Sequence, residues 1–337
     1  MNLKVKNIGV LTSGGDSPDM NAAVRAVVRS CHHVGLNCSG IHRGYAGMID
    51  AEITSLGMRD VNKIINRGGT ILQSSSCEEF RTNEGRIKAY EQLQAHGIDA
   101  LVIVGGNGSF AGAELLNKEH GISILGIPGT IDNDLFGTDY TVGFDTATNT
   151  VVEAVDKIRD TGNSHNRLFF IEVMGRDSGF IALKAGIATG AIAILLPEED
   201  LSIDDLIDLL ERNGAKGKTS SIVIVAEGDA NGGARAVADK VDKHLPHLET
   251  RVTILGHIQR GGSPSASDRI LASRMGVAAV EGLMAGRTNE MVYVVHDEIV
   301  YTALMDVSAT AVRPSKEEFR ISKIISIYRE YIHASSN

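Results

Sequence analysis

Asp132 and Asp134 stand two residues apart in Ile127-Pro128-Gly129-Thr130-Ile131-Asp132-Asn133-Asp134, with the Thr130 hydroxyl just before them. Two carboxylates at this spacing can reach one ligand. One can then act as a general base while the other positions a metal or substrate. The plainer reading is a turn whose Asp and Asn side chains bond the backbone. Two glycine pairs offer a second chemistry. Gly14-Gly15-Asp16 and Gly105-Gly106-Asn107-Gly108-Ser109 each follow an apolar run and precede a helical pattern. Glycine there lets a phosphate approach the backbone while the amides of the following helix face it, although a tight structural turn has the same composition. Neither is a Gly-Lys-Ser/Thr loop, and the Gly106, Gly108, Gly112 spacing misses the dinucleotide fingerprint by one residue, which argues against a dehydrogenase.

These residues need strands that end beside them. Residues 122–127 form a short apolar run that reads as a buried strand ending at the paired acids. The same alternation recurs: residues 8–11 precede a helix expected from about residue 21, residues 100–104 one from about 110, and residues 168–173 one near 180. Strand-length runs alternating with helices predict α/β architecture with a mostly parallel, doubly wound sheet in each half, where ligands sit at the carboxyl ends of strands. Asp145 is expected to N-cap a helix burying Val151, Val152, Val155 and Ile158. Ser315-Lys316-Glu317-Glu318 has capping-box spacing, and Ile321, Ile324, Ile325, Tyr328 and Ile332 follow at helical intervals, predicting a docked terminal helix.

The chain has 337 residues, 43% of them hydrophobic, and 37 glycines, enough for two lobes rich in tight turns. Its 33 Lys and Arg against 42 Asp and Glu give a net charge of −9. That disfavours an extended nucleic-acid or anionic-membrane surface, so an anion site must be a local basic cluster. Cys31, Cys38 and Cys77 lack metal or redox spacing and read as free thiols in a reducing compartment. With no signal-peptide core and no run of about 18 apolar residues, a cytoplasmic protein is expected.

The segment around Asp132 resembles the active-site signature of the phosphofructokinase family. The likeness continues, in order, through Leu11-Thr12-Ser13-Gly14-Gly15-Asp16, Asn66-Arg67-Gly68-Gly69-Thr70, the Gly105 to Ser109 glycines, Phe144-Asp145-Thr146-Ala147, Val173-Met174-Gly175-Arg176 and Leu255-Gly256-His257-Ile258-Gln259-Arg260-Gly261-Gly262. The resemblance implies two Rossmann-like three-layer lobes, with residues 1–143 plus 258–306 binding nucleotide and 144–257 plus 307–337 binding fructose 6-phosphate. It implies a homotetramer that transfers the γ-phosphoryl group of ATP to the sugar 1-hydroxyl with Mg2+. Asp132 would be the base, helped by Thr130, Asp134 and Arg176. Thr130, Asp132, Arg167, Met174, Gly175, Arg176, Glu227, Arg251, His257 and Arg260 would bind the sugar phosphate, Arg167 and Arg251 reaching a neighbouring subunit. Read alone, His257 could equally be a satisfied interior histidine. Gly15, Ser76, Cys77, Arg81, Gly106, Asn107, Gly108 and Ser109 would bind the nucleotide. Arg25, Arg29, Arg159, Gly190, Lys216 and Lys218 would form an effector site for ADP or phosphoenolpyruvate. Gly108 and Gly129 favour ATP, because pyrophosphate-using relatives carry Asp and Lys there.

Several positions depart from the family pattern. Asn107 replaces the acid that holds magnesium. At about 4 Å a unit charge pair is worth roughly 4 kcal/mol at an effective dielectric near 20, so metal assistance should weaken. Ser76 replaces an arginine at the transferred phosphate, and Cys77 an aromatic. Asp19 stands in place of a glycine. Near the effector positions, Met58 replaces an arginine, and Lys63 and Ile192 replace acids; anion binding is expected to survive with weaker magnesium-nucleotide activation. The donor-side losses keep two further readings open: a catalytically weakened sugar-phosphate-binding regulatory paralogue, and a kinase using pyrophosphate as donor.

Overall fold

The computed structural model describes residues 5–165, 167–199, 201–215, 221–310 and 312–325. The chain divides into two compact units, Met1–Ile131 with Leu135–Thr146 and Arg260–Val312, and Asp132–Asp134 with Ala147–Gln259 and Arg313–Asn337.

The elements run β1 (Asn7–Thr12), α1 (Met20–His33), β2 (Asn37–Ile41), α2 (Gly44–Ile49), β3 (Ile53–Ser55), α3 (Asn83–Ala95), β4 (Ala100–Gly105), α4 (Asn107–His120), β5 (Ser123–Pro128), α5 (Phe144–His165), β6 (Arg167–Val173), α6 (Phe180–Thr189), β7 (Ala193–Leu195), α7 (Ile203–Ala215), β8 (Ser221–Ala226), α8 (Gly233–His244), β9 (Glu249–Ile254), α9 (Ala266–Met284), β10 (Glu290–Val295), β11 (Glu298–Ala303), α10 (Leu304–Ala309) and α11 (Lys316–Ile325).

The first unit holds a seven-stranded sheet in the order β11-β10-β5-β4-β1-β2-β3. Its central pairs are parallel, with Val10 opposite Val102 and Val102 opposite Leu125. Only the outermost strands, β3 and β11, pair antiparallel. The central strands are apolar throughout because both faces are covered. Ala100, Val102 and Val104 join one core with Ala23, Val27, Met275 and Ala279 from α1 and α9. Leu101 and Ile103 join a second with Tyr45, Phe80, Phe110 and Leu116. This alternation is the two-residue period of a strand expressed on two faces.

The second unit is built on an all-parallel sheet, β7-β8-β6-β9. Leu168, Phe170, Val223 and Val225 pack on Leu206, Leu210, Val237 and Val241 of α7 and α8. α6 packs against β7 and β8.

Three local expectations need correction. α4 starts at Asn107, three residues earlier than expected, which puts Asn107, Gly108 and Ser109 in its first turn. α5 starts at Phe144, so Asp145 lies within the first turn and is not its cap. The capping carboxylate comes instead from Asp268, which accepts from Gly143 N at 3.0 Å and Thr146 N at 2.8 Å. α11 has the expected capping box: Glu318 N donates to Ser315 Oγ and Ser315 N to Glu318 Oε2. Ile321 is half-buried, but Ile324 and Ile325 are exposed, so they do not seat it. Ion pairs Lys184–Glu318 at 2.5 Å and Lys323–Glu199 at 2.6 Å fasten it. Tyr328 and Ile332 lie outside the described residues.

Candidate functional site

In the first unit the turn after β1 is held from two sides. Ser13 N donates to the Val104 carbonyl at 2.9 Å, and Ser74 Oγ donates to the Gly14 carbonyl. Arg260 Nη1 donates to the Asp16 carbonyl at 2.9 Å and crosses Gly15, where a Cβ would stand 2.5 Å from that same nitrogen. A glycine turn therefore meets a guanidinium, an arrangement suited to a phosphate.

The next turn, at the end of β4, leads directly into α4. Gly106 is extended and precedes the helix, and Gly108 is exposed, with nothing within 4 Å of where its Cβ would be. A helix N-terminus with such an approach favours an anion. The first turn is braced from below: Ser109 Oγ donates to Ser13 Oγ at 2.9 Å, and the Tyr45 hydroxyl donates to the Ser109 carbonyl at 2.5 Å. Tyr45 stacks on Phe80 with ring centroids 3.8 Å apart, and burial pushes its phenol up.

Ser76, Cys77 and Arg81 lie on the segment between β3 and α3. Thr12 Oγ1 donates to the Gln73 carbonyl at 2.7 Å, tying that segment to the end of β1. Ser76 is exposed, Cys77 packs against the core containing Tyr45 and Phe80, and Arg81 Nε stands 3.4 Å from Glu78 Oε2. Thr130 is half-buried, and its carbonyl accepts from Thr141 Oγ1 at 2.6 Å.

In the second unit Asp132 is 5% exposed, and its Oδ2 lies 4.0 Å from Nε of Arg176, whose side chain is 69% exposed. Ser178 Oγ fixes the Asp132 carbonyl at 2.8 Å. Asn133 and Arg176 both have positive φ, 51° and 53°, so each occupies a region that non-glycine residues seldom enter. Asp134 is half-buried. Gly175 has φ 147°, and a Cβ there would be 2.3 Å from the Ser178 carbonyl oxygen, which no other residue tolerates. Glu227 Oε1 accepts from Gly175 N at 3.2 Å and Arg176 N at 2.8 Å, so one carboxylate shapes the loop that carries Arg176. Met174 is buried, with its amide on Gln259 Oε1 at 3.2 Å.

Arg167 and Arg251 come together on neighbouring strands. Arg167 Nε stands 3.0 Å from Glu249 Oε1 as an ion pair, and the same carboxylate oxygen also pairs with Arg251. His257 is exposed, which removes the reading of a satisfied interior histidine.

Of the expected effector residues, Arg25 and Arg29 line a cavity of about 560 Å3 with His32, His33, Met58 and Glu281. Burial, and then Arg29, lower the Arg25 guanidinium. Arg159 donates to the Thr189 carbonyl beside Gly190, which ends α6 in the left-handed region. Lys216 and Lys218 lie outside the described residues.

No group of three or more His, Cys, Asp or Glu able to cage a metal occurs among the described residues. The donor available at α4 is the neutral Asn107 side chain. That set fits a magnesium ion carried largely by phosphates and water, since this cation commonly takes only one or two protein ligands.

A family model described as phosphofructokinase matches residues 7–283. The chain belongs to the phosphofructokinase family. It is 54% identical over 323 residues to ATP-dependent 6-phosphofructokinase 1 of Thermus thermophilus, covering 96% of this chain and 100% of that one. It is 54% identical over 297 residues to ATP-dependent 6-phosphofructokinase 2 of Bacteroides thetaiotaomicron, covering 88% and 91%. Among solved structures, a phosphofructokinase from Saccharomyces cerevisiae superposes with TM-score 0.84 at 38% identity over 90% of this chain and 45% of the yeast chain. The pyrophosphate-dependent phosphofructokinase of Marinobacter aquaeolei shares the fold, with TM-score 0.82 at 23% identity over 96% of this chain and 92% of that one.

For this phosphofructokinase, sequence reasoning passed over Tyr45, Thr141, Ser178 and Asp268. Tyr45, Ser178 and Thr141 each bond the backbone of a candidate residue, Ser109, Asp132 and Thr130, while Asp268 caps the start of α5 from far along the chain.

Proposed function

We propose that the chain is an ATP-dependent 6-phosphofructokinase of glycolysis, converting fructose 6-phosphate and ATP to fructose 1,6-bisphosphate and ADP. The observation that carries the mechanism is the buried Asp132 carboxylate 4.0 Å from the largely exposed Arg176 guanidinium. A carboxylate held in that way suits a base for the sugar 1-hydroxyl, and the guanidinium suits a phosphoryl oxygen. The hydroxyl oxygen attacks the γ-phosphorus as Asp132 accepts its proton, and the bond to the bridging oxygen of ADP breaks. Thr130 and Arg176 hold the transferring group, and Asp134 supports the charge arrangement. Such chemistry rests on positioning and electrostatics more than on covalent help.

The acceptor is assigned to Arg167, Met174, Gly175, Arg176, Glu227, Arg251, His257 and Arg260. The donor is assigned to Gly15, Ser76, Cys77, Arg81, Gly106, Asn107, Gly108 and Ser109. Asn107 would be a neutral ligand for a Mg2+ ion carried on the ATP phosphates, which would supply positive charge to the phosphoryl oxygens. Gly108 and Gly129 support ATP over pyrophosphate. The nucleotide lobe corresponds to residues 1–143 plus 258–306 and the sugar-phosphate lobe to 144–257 plus 307–337. The working form is a cytoplasmic homotetramer in which ADP or phosphoenolpyruvate binds at Arg25, Arg29, Arg159, Gly190, Lys216 and Lys218.

A second reading, a sugar-phosphate-binding regulatory subunit with slow turnover, draws support from Asn107 and from the exposed Ser76, which remove charge from the donor side. Fructose 1,6-bisphosphate formation with magnesium, comparing ATP with pyrophosphate, separates the two. Rapid ATP-dependent turnover that Asp132→Ala lowers by about three or more orders of magnitude is expected of an essential base. Sugar-phosphate binding without turnover would favour the regulatory reading instead.

A further inference from the structure

Among the described residues, the acid with the least exposure outside these is Asp19, the residue before α1. It is fully buried, and neither of its carboxyl oxygens has a hydrogen-bond partner. Ser17 Oγ, two residues earlier, is also buried and unpartnered. Asp268, in the first turn of α9 and 1% exposed, opposes the Asp19 charge. Asp268 uses both oxygens: Oδ1 accepts from Gly143 N, while Oδ2 accepts from Thr146 N and from Thr146 Oγ1 at 2.5 Å. The contact is tight, because a Cβ on Gly143 would stand 2.6 Å from Ser17 Cβ and 2.9 Å from Pro18 Cδ.

This packed spot adjoins two pieces of the candidate machinery. Residues 17–19 close the turn that carries Gly15. Residues 141–146 brace the turn that carries Thr130: Thr141 Oγ1 holds the Thr130 carbonyl, Val142 N donates to the Pro128 carbonyl at 2.8 Å, and Val142 bridges Gly129.

Two carboxylates in so dry a place cannot both be charged without large cost. The three donors on Asp268 favour its anion, so the proton belongs on Asp19. The other charged groups acting on the pair are Arg269 of α9, which favours the Asp19 anion, and Asp145 of α5, which opposes the Asp268 anion.

We propose that Asp19 keeps a buried proton beside the Asp268 anion, and that this proton holds the Gly15 turn and the Thr130 segment in the arrangement that phosphoryl transfer requires. Both are positioning residues, and the inference rests on the kinase reading for its effect on turnover.

Burial, and then Asp268, push the Asp19 carboxyl up to about 8. The folded protein thus retains a proton that the unfolded chain releases near pH 4. Stability from this group is greatest at low pH, declines as pH rises, and has been lost once pH passes about 8.

The test compares wild type with Asp19→Asn, which keeps shape and removes the charge. Two measurements are made across pH 5 to 9: the unfolding temperature, and kcat with ATP and fructose 6-phosphate. Relative to Asp19→Asn, wild type should lose unfolding temperature as pH climbs toward 8, and its kcat should fall above that pH with the slope of a single proton. Parallel curves for the two proteins in both measurements would overturn the proposal. The carboxyl 13C resonance of Asp19 in wild type, followed over the same range, needs no variant and no turnover. A transition near 8 supports the buried proton even if the chain proves not to be a kinase, and an Asp19 carboxyl already charged at pH 6 refutes it. Asp268→Asn, which keeps an acceptor for Thr146, should move the same transition downward. An unmoved transition would show that the Asp268 charge does not help hold the proton on Asp19, and would overturn the proposal.

Discussion

Asn107 and Ser76 take a carboxylate and a guanidinium from the residues assigned to the donor, whereas Asp132 and Arg176 keep both charges where the acceptor is assigned. Acceptor affinity and donor chemistry should therefore respond separately to mutation. Asn107→Asp restores a charge worth several kcal/mol before compensation by water, and even a third of about 4 kcal/mol is tenfold in rate. The expected outcome is a rise in kcat of about tenfold and a fall in the magnesium concentration giving half-maximal rate, with the Michaelis constant for fructose 6-phosphate unchanged; titrating rate against magnesium checks it. Adding Ser76→Arg should raise kcat further, because a planar guanidinium can meet a phosphoryl oxygen through two hydrogen bonds. If the double variant matches wild type at every magnesium concentration, the account of the donor residues is wrong.

Helix α4 depends on support that lies distant in sequence. Tyr45→Phe removes the bond to the Ser109 carbonyl but leaves the stack on Phe80, so a buried carbonyl loses its donor. The expected costs are about 1–2 kcal/mol of stability by denaturant titration and a several-fold weaker apparent affinity for ATP, with fructose 6-phosphate affinity unaffected. The same distance explains what the sequence could and could not say. Strands β1, β4, β5 and β6 are mostly apolar and buried, apart from Arg167 and Glu172 in β6, so their positions were legible to within one residue. So were the glycine turns, whose chemistry is local. The start of α5 was misread because its cap, Asp268, is 122 residues away from Thr146 in the chain. Nothing near Asp145 announces that the helix already has an acid at its end. The start of α4 was placed late because Asn107 and Gly108 look like turn residues, and only the bonds of Ser109 and Tyr45 show that the helix already includes them. Arg167 and Arg251 could be named separately, but their common partner Glu249 becomes visible only when β6 and β9 lie side by side.

At the scale of the whole molecule, each unit closes its own sheet between helices, and that closure decides which thiols meet solvent. Cys31 and Cys38 belong to the core formed by α1, α9 and the central strands, and contact with Cys31 together with burial holds the Cys38 thiol well above its usual range. Cys77 is half-buried, on the segment assigned to nucleotide. A thiol reagent should therefore add one group per native chain and three after unfolding, a stoichiometry that mass spectrometry reads directly. The protein thus carries its own attachment point. A small fluorophore on Cys77 would turn the unaltered sequence into a reporter of nucleotide arrival, with no engineered cysteine and none of the native ones removed.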